Sequence, residues 1–246
     1  MKFIYNDNML NINKINRIID NNKENIKNTQ KNFGIVAIEN NLYFIKTINK
    51  KVIHVLINGN KDKEINQTKQ VASYLNNNKD YASLFVNVHT ICQKDHCDYY
   101  LMDHIKYGDF TNILPILNSK WKFTLLMQSL ISIYVLNHKI KLFHNDLYYN
   151  DVIRNIMIDQ VSKSYSIDLY INDIMITLKV KKFCAKMIDF GRCSNTQAFR
   201  TTEYHNKHFH KIKYISEPLL FTYFFFKTFG FDEFDMINNI GLDLEN

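Results

Sequence analysis

The sequence predicts an α+β protein of two lobes, a small antiparallel sheet with one helix followed by a mainly helical part. Three observations carry this expectation. Short runs rich in β-branched and aromatic residues, "FGIVAIE", "LYFIKTI" and "KVIHVLI", follow one another with only "NN" or "NK" between them. They read as antiparallel strands joined by tight turns. From Trp121 the apolar period lengthens to that of a helix. No Pro- or Gly-rich tether separates the halves of a chain holding only 6 Gly and 2 Pro. The junction near Met102–Gly108 therefore reads as a hinge inside one domain, residues 1–246, divided into 1–102 and 103–246.

The elements follow in order. Residues 1–32 are polar and Asn-rich, with Ile12, Ile15, Ile18 and Ile19 at the spacing of a short leading helix, then a loop around Asn28. After the three strands, "DKEINQTKQVASYLN" returns to helical spacing through Ile65, Thr68, Val71, Ala72 and Leu75. "SLFVNVHTI" and "DYYLMDHI" give two more strands before the loop "KYGDF". The helical region from Trp121 to His138 gathers Phe123, Leu126, Met127, Leu130, Ile131, Tyr134 and Val135 on one face. Short strands frame "LFHNDLYYNDVIRNIMID" and "AKMIDF", and between them "SYSIDLYINDIMITLKVKKF" reads as an added β-hairpin. From Ile215 the tail is helical and aromatic, with Phe221–Phe226 as core.

With 46% apolar residues over 246 positions the chain has ample material for a core, which argues against a disordered protein. A net charge of +7 and a pI near 9.0 admit an anionic partner. The lysines are scattered among asparagines as a diffuse solvated surface, and no nucleic-acid motif accompanies them, so no specific nucleic acid is expected. The abundance of Asn, Ile and Lys follows AT-rich codons. Cys92, Cys97, Cys184 and Cys193 are too few to staple a chain of this size and read as free thiols of a reducing compartment. "MKFIYNDNML" lacks the pattern of a signal peptide. The most apolar run, Pro218–Phe226, falls far short of the roughly 20 residues that cross a bilayer. The expectation is a soluble, intracellular, cytoplasmic protein with no membrane span.

Carboxylates at the ends of apolar strands need a reason, because Asp and Glu are rarely buried without partners. Phosphoryl transfer supplies one. Its transition state spreads negative charge over phosphate oxygens, and catalysis is mostly positioning and charge neutralisation. Such a site wants a carboxylate beside the attacking hydroxyl, hard oxygen ligands for magnesium, and a lysine on the nucleotide phosphates. Asp146, an Asn downstream, Asp189 and a strand lysine provide those parts.

On these residues the chain resembles the protein-kinase-like superfamily, over most of its length. "HNDL" at 144–147 looks like the catalytic-loop motif, and "DFG" at 189–191 matches the metal-binding motif. "NFGIV" resembles the end of the nucleotide-covering loop, with Gly34 and Val36 in the last G-x-V, and "YFIK" resembles the strand of the phosphate-binding lysine. The compact Ser/Thr kinases of poxviruses and giant DNA viruses are the branch it is nearest to, which would place it in a host cytoplasm or a virion. The resemblance implies a two-lobed kinase fold and transfer from ATP, with Mg2+ or Mn2+, to a hydroxyl of a protein substrate. Asp146 would act as base or orienter of that hydroxyl, and Asp189 as the main metal ligand. Lys46 would contact the phosphates, paired with Glu64. "YLMDHIKYGDF" would be the hinge, where backbone groups at Asp103 and Ile105 hold adenine. Asn155, opening "NIMI", is the choice for second metal ligand, with Asn150 as competitor.

The chain also departs from the family. Asn155 lies nine residues after Asp146, against a family interval of about five. Tyr148 stands where protein kinases carry Lys or Arg, Thr29 and Lys31 stand near the missing glycines of the covering loop, and no Ala-Pro-Glu segment follows. Glu217 is in the region where the family has an Asp bracing the catalytic loop, and His144 is read as a structural brace. Two other readings stay open: a kinase of small alcohols of the choline and aminoglycoside type, and a pseudokinase that binds nucleotide or partners and transfers nothing. "HTICQKDHC", with His89, Cys92, His96 and Cys97, fits no common zinc spacing and reads as a turn. "YHNKHFHK", with His205, His208 and His210, reads as a solvated basic loop.

Overall fold

The computed structural model describes residues 2–6, 17, 20–21, 33–38, 41–49, 61–94, 97–149, 152–171, 173–197 and 216–229. The chain is α+β and divides into two compact units, Met1–Ser73 with Val86–His104, and Tyr74–Phe85 with Ile105–Asn246.

The first unit is built on an antiparallel sheet of five strands: β1 (Lys2–Asn6), β2 (Phe33–Ile38), β3 (Asn41–Asn49), β4 (Val88–Lys94) and β5 (Cys97–Asp103), in the order β1-β4-β5-β3-β2. The two expected strands around Gly34 and Lys46 pair as β2 and β3, from Phe33↔Lys46 to Ile38↔Asn41. β1 corrects the reading of the first residues. Phe3, Ile4 and Tyr5 are strand formers, and the segment finds a partner in β4 (Lys2↔Gln93, Asn6↔Thr90) that its own sequence cannot announce. The expected leading-helix residues Ile12, Ile15, Ile18 and Ile19, the loop at Asn28, and the expected strand "KVIHVLI" lie outside the described residues. The strand expected from Ser83 begins only at Val88; before it, Phe85 makes an isolated bridge to Met187 instead. Helix α1 (Lys61–Asn77) buries Ile65, Thr68, Val71 and Leu75, the anticipated face.

Among its described residues the second unit holds more helix than strand, and more strands than the sequence predicted. Beside α2 (Lys79–Ala82), α3 (Phe110–Ile113), α4 (Ser119–Tyr134) and α5 (Glu217–Phe229), it carries β6 (Gly108–Asp109), β7 (Tyr148–Tyr149), β8 (Val152–Ile153), β9 (Ile156–Gln160), β10 (Tyr165–Ile171), β11 (Ile174–Val180) and β12 (Phe183–Met187). They form a three-stranded sheet, β12-β9-β6, and two hairpins, β7–β8 and β10–β11, all antiparallel. The expected added hairpin is β10–β11. Gly108 has φ +70, a conformation that suits glycine, just before Asp109 caps α3 by accepting from the Thr111 amide.

Asn118 caps α4 by accepting from the Trp121 amide at 3.1 Å. The buried side of α4 is Leu125, Leu126, Gln128, Ser129, Ile131, Ser132 and Ile133. The face read from apolar spacing is therefore rotated, with Phe123, Met127, Leu130 and Tyr134 only half-buried. Hydrogen bonding explains the shift, since polar groups enter a core when they find partners. Gln128 donates to the Phe183 carbonyl at 3.2 Å and accepts from the Ala185 amide at 2.6 Å, fastening α4 to β12. Ser129 and Ser132 return their hydroxyls to the Leu125 and Ser129 carbonyls. Phe221, Phe224 and Phe225 of α5 are buried, as expected of core. Among the described residues, no helix is long and apolar enough to cross a membrane.

Candidate active site

After α4 the helix widens into a π-helical turn, Val135–Ile140, and stops at Lys141, whose φ of 67° turns the chain. The next residues are "LFHND". Phe143 bridges to Ser194 through two backbone hydrogen bonds, 2.8 and 3.0 Å, so the chain around Asp146 runs beside the chain that follows Asp189.

Glu217 opens α5 and is buried, 2% exposed. Its carboxylate accepts from the backbone amides of His144 (3.1 Å) and Asn145 (2.7 Å). A buried carboxylate needs such donors, and these two amides need an acceptor, so the pairing braces the loop from below. His144, fully buried, places Nε2 at 2.9 Å from the Ile188 carbonyl. A carbonyl only accepts, so Nε2 carries the proton. The ring braces the segment leading to Asp189.

The nine residues from Asp146 to Asn155 are accounted for by a hairpin. Tyr148 pairs with Ile153 and Tyr149 with Val152. The Arg154 amide closes the excursion by donating to the Leu147 carbonyl at 2.9 Å. Asn155 is thereby returned to Asp146, and its amide nitrogen donates to the Asp146 carbonyl at 2.8 Å and to Oδ2 at 3.1 Å. Asn150 lies outside the described residues. The Asn155 carbonyl in turn accepts from the Ile188 amide at 2.9 Å, which sets Asp189 next in line. Asp146, Asn155 and Asp189 are thus drawn together by bonds among three chain segments.

Backbone conformation marks the same place. Among the described residues, five other than glycine have positive φ, and three of them are Asn145 (61°), Asn155 (60°) and Asp189 (60°). Asn and Asp tolerate this region better than other residues, and such conformations concentrate at functional sites. Asp189 also accepts from the Gly191 amide at 3.4 Å, capping the turn Phe190–Arg192. Asn145 donates through its side chain to Ser194 Oγ at 2.8 Å and to the Arg192 and Thr196 carbonyls, tying down the start of the segment beyond Asp189.

The electrostatics centre on Asp146, which is 4% exposed. Burial pushes its carboxyl above the ordinary aspartate range, against the pull of Arg154 and Arg192. Arg154 Nη2 stands 3.4 Å and Arg192 Nε 3.6 Å from Asp146 Oδ2, each side chain about two-fifths exposed at 40% and 41%. Neither arginine was singled out in the sequence; their adjacency to Asn155 and to the DFG was the only signal available. Tyr148 is stacked on Phe224, with centroids 4.8 Å apart, and its hydroxyl is pushed up to about 12 by burial and by Glu217. It is a neutral packing residue, two positions after Asp146.

The remaining expected site residues stand as follows. Gly34 and Val36 lie on β2 and Lys46 on β3, opposite Phe33 and Tyr100; the side chains of these three fall outside the described part. Glu64 is half-buried on α1. Asp103 ends β5, donating its amide to the Asn87 carbonyl, and its carboxylate meets His89 Nε2 at 2.6 Å. That contact gives His89 a role other than metal ligation. Ile105 is buried in the second unit. Cys184 and Cys193 are buried. His96, His205, His208 and His210 lie outside the described residues.

The Asp189 carboxylate and the Asn155 amide oxygen are hard oxygen donors on segments joined by the Ile188–Asn155 backbone bond, the donor type that suits magnesium. Because the Asn155 nitrogen is spent on Asp146, its oxygen is the end left for a metal. No protein-family model matches the chain, and a search of curated proteins found no match.

Proposed function

We propose that this protein is a kinase-like phosphotransferase that moves the γ-phosphoryl group of ATP to a hydroxyl, most simply on serine or threonine of a protein. The observation that carries the reading is the joining of Asp146, Asn155 and Asp189 through Asn155's bonds to Asp146 and to Ile188. The order HNDL, then Asn, then DFG supports it, and so does the α+β organisation. An intracellular location accords with ATP as substrate.

In this reading Asp146 accepts a hydrogen bond from the acceptor hydroxyl and orients it for attack. Its raised proton affinity suits a group that takes a proton as the new bond forms. Asn155 holds Asp146 in place. Glu217 and His144 fix the two loops that carry the carboxylates. Asp189 and Asn155 would hold a magnesium or manganese ion, whose charge screens the phosphates. The resemblance assigns the nucleotide phosphates to Lys46 with Glu64, the end of the covering loop to Gly34 and Val36, and adenine to the backbone at Asp103 and Ile105.

The test is transfer of labelled γ-phosphate by wild type and Asp146→Ala, offered casein, a basic protein, the protein itself and choline. Label on protein from wild type alone is the expected result. Label on choline alone would move the assignment to a small-molecule kinase. Magnesium-dependent ATP binding without transfer would make the chain a pseudokinase.

A further inference from the structure

Phosphoryl transfer to a hydroxyl held by Asp146 brings negative charge beside a carboxylate that is already buried, and a second carboxylate, Asp189, follows closely. The transferring group needs a cation at that spot. Tyr148, two residues after Asp146, is packed on Phe224 and cannot supply it. Among the described residues, the cations within ion-pair distance of Asp146 are Arg154 and Arg192.

We infer that Arg154 is a catalytic residue, whose guanidinium passes from Asp146 Oδ2 to the oxygens of the transferring phosphoryl group during turnover. The inference rests on the phosphotransferase reading above. Arg154 rather than Arg192 is assigned because it directly precedes Asn155, the residue that holds Asp146. Its amide donates to Leu147, its neighbour Asn155 donates to Asp146, and its guanidinium end-group already reaches the carboxylate that would hold the hydroxyl. A donor so fixed costs little to reorganise when charge develops. Its partial exposure, 40%, leaves it open to a ligand arriving from solvent. A planar fork of N–H donors also matches phosphoryl oxygens better than a carboxylate held through one oxygen. Arg192 stays on Asp146 and keeps the carboxylate compensated while Arg154 is away. In the step itself, the acceptor oxygen forms a bond to the γ-phosphorus as the bond to the β,γ-bridging oxygen breaks. ADP leaves with that electron pair, and the acceptor's proton passes to Asp146.

The experiment compares wild type, Arg154→Gln, Arg154→Lys and Arg192→Gln. It measures kcat and KM for γ-phosphate transfer, and the affinity for ADP with and without aluminium fluoride, a mimic of the phosphoryl group in flight. Arg154→Gln is expected to lose kcat by about 100-fold or more, as when one transition-state donor is removed. Its KM and its affinity for ADP alone should stay within about threefold of wild type, while the extra affinity conferred by aluminium fluoride disappears. Arg154→Lys should recover part of the rate, and Arg192→Gln should lose less than Arg154→Gln. Retention of kcat by Arg154→Gln, parallel loss of ADP and mimic binding, or a larger loss in Arg192→Gln would overturn the assignment while leaving the phosphotransferase reading intact. Absence of both transfer and mimic binding in wild type would overturn that reading and the assignment with it.

Discussion

The side-chain nitrogen of Asn155 donates to both the backbone carbonyl and the carboxylate of Asp146, at 2.8 and 3.1 Å, across nine residues of chain. The hairpin β7–β8 makes this possible by leaving and re-entering the loop at Leu147 and Arg154. The hairpin lengthens the loop between Asp146 and Asn155 without opening the cluster.

Asn155 is therefore the residue to change first. Asn155→Ala should lower phosphate transfer by about 100-fold, since the orienting bond to Asp146 and the proposed metal ligand go together. It should also cost about 1–3 kcal/mol of stability, because buried groups on Asp146 lose a partner. Asn150→Ala should leave the transfer rate near that of wild type. Transfer assays and urea denaturation of the two variants separate them.

Asp146 carries a pH signature. Its carboxyl titrates above the ordinary value in the folded protein because it is buried. The stability this group contributes is fully present below the unfolded aspartate pKa, about 3.9, and is lost as pH rises through the raised folded value. Asp146→Asn cannot ionise and should melt higher than wild type at neutral pH. The gap should close as pH falls toward the unfolded value, in thermal melts recorded across that range. The acidic limb of the transfer rate should likewise lie above the range of an ordinary aspartate, because in the proposed mechanism the carboxylate form accepts the proton.

Glu217 tests the brace beneath the loop. Glu217→Ala leaves the His144 and Asn145 amides without their acceptor and should cost about 2–4 kcal/mol. Glu217→Gln keeps one acceptor oxygen and should cost less. The urea midpoints should move with little change in slope.

The hairpin β10–β11 separates packing from exposure. Leu169 is fully buried and Ile174 is 66% exposed at the tip. Leu169→Ala should cost about 2–5 kcal/mol, and Ile174→Lys should stay within about 0.5 kcal/mol of wild type. Both are read from denaturation midpoints.

Much of this arrangement was legible in the residues, though unevenly. The strands around Gly34 and Lys46, the helix through Ile65 and Val71, and the hairpin after Ser164 announced themselves through local period and turn residues. Glu217 and His144 were recognisable as braces only through the resemblance to the kinase motifs, which carry a bracing group at each of these places. What stayed hidden was set by distant pairing. β1 is a strand because β4 lies beside it, Gln128 turns inward because β12 offers it a carbonyl and an amide, and "YYNDVI" is a hairpin too short to show a period. The arginines on Asp146 were hidden for the same reason, since no spacing rule links residue 192 to residue 146.

The most direct measurement is γ-phosphate transfer by wild type and Asp146→Asn at equal folded fraction and neutral pH, with magnesium, ATP and a protein acceptor. Because the variant should be at least as stable as wild type, a lost rate reports chemistry and not unfolding. Transfer by wild type with loss of about a thousandfold or more in Asp146→Asn, in line with removal of a group that both orients and deprotonates, is the predicted result. Equal transfer by the two proteins, or none by wild type, would contradict it.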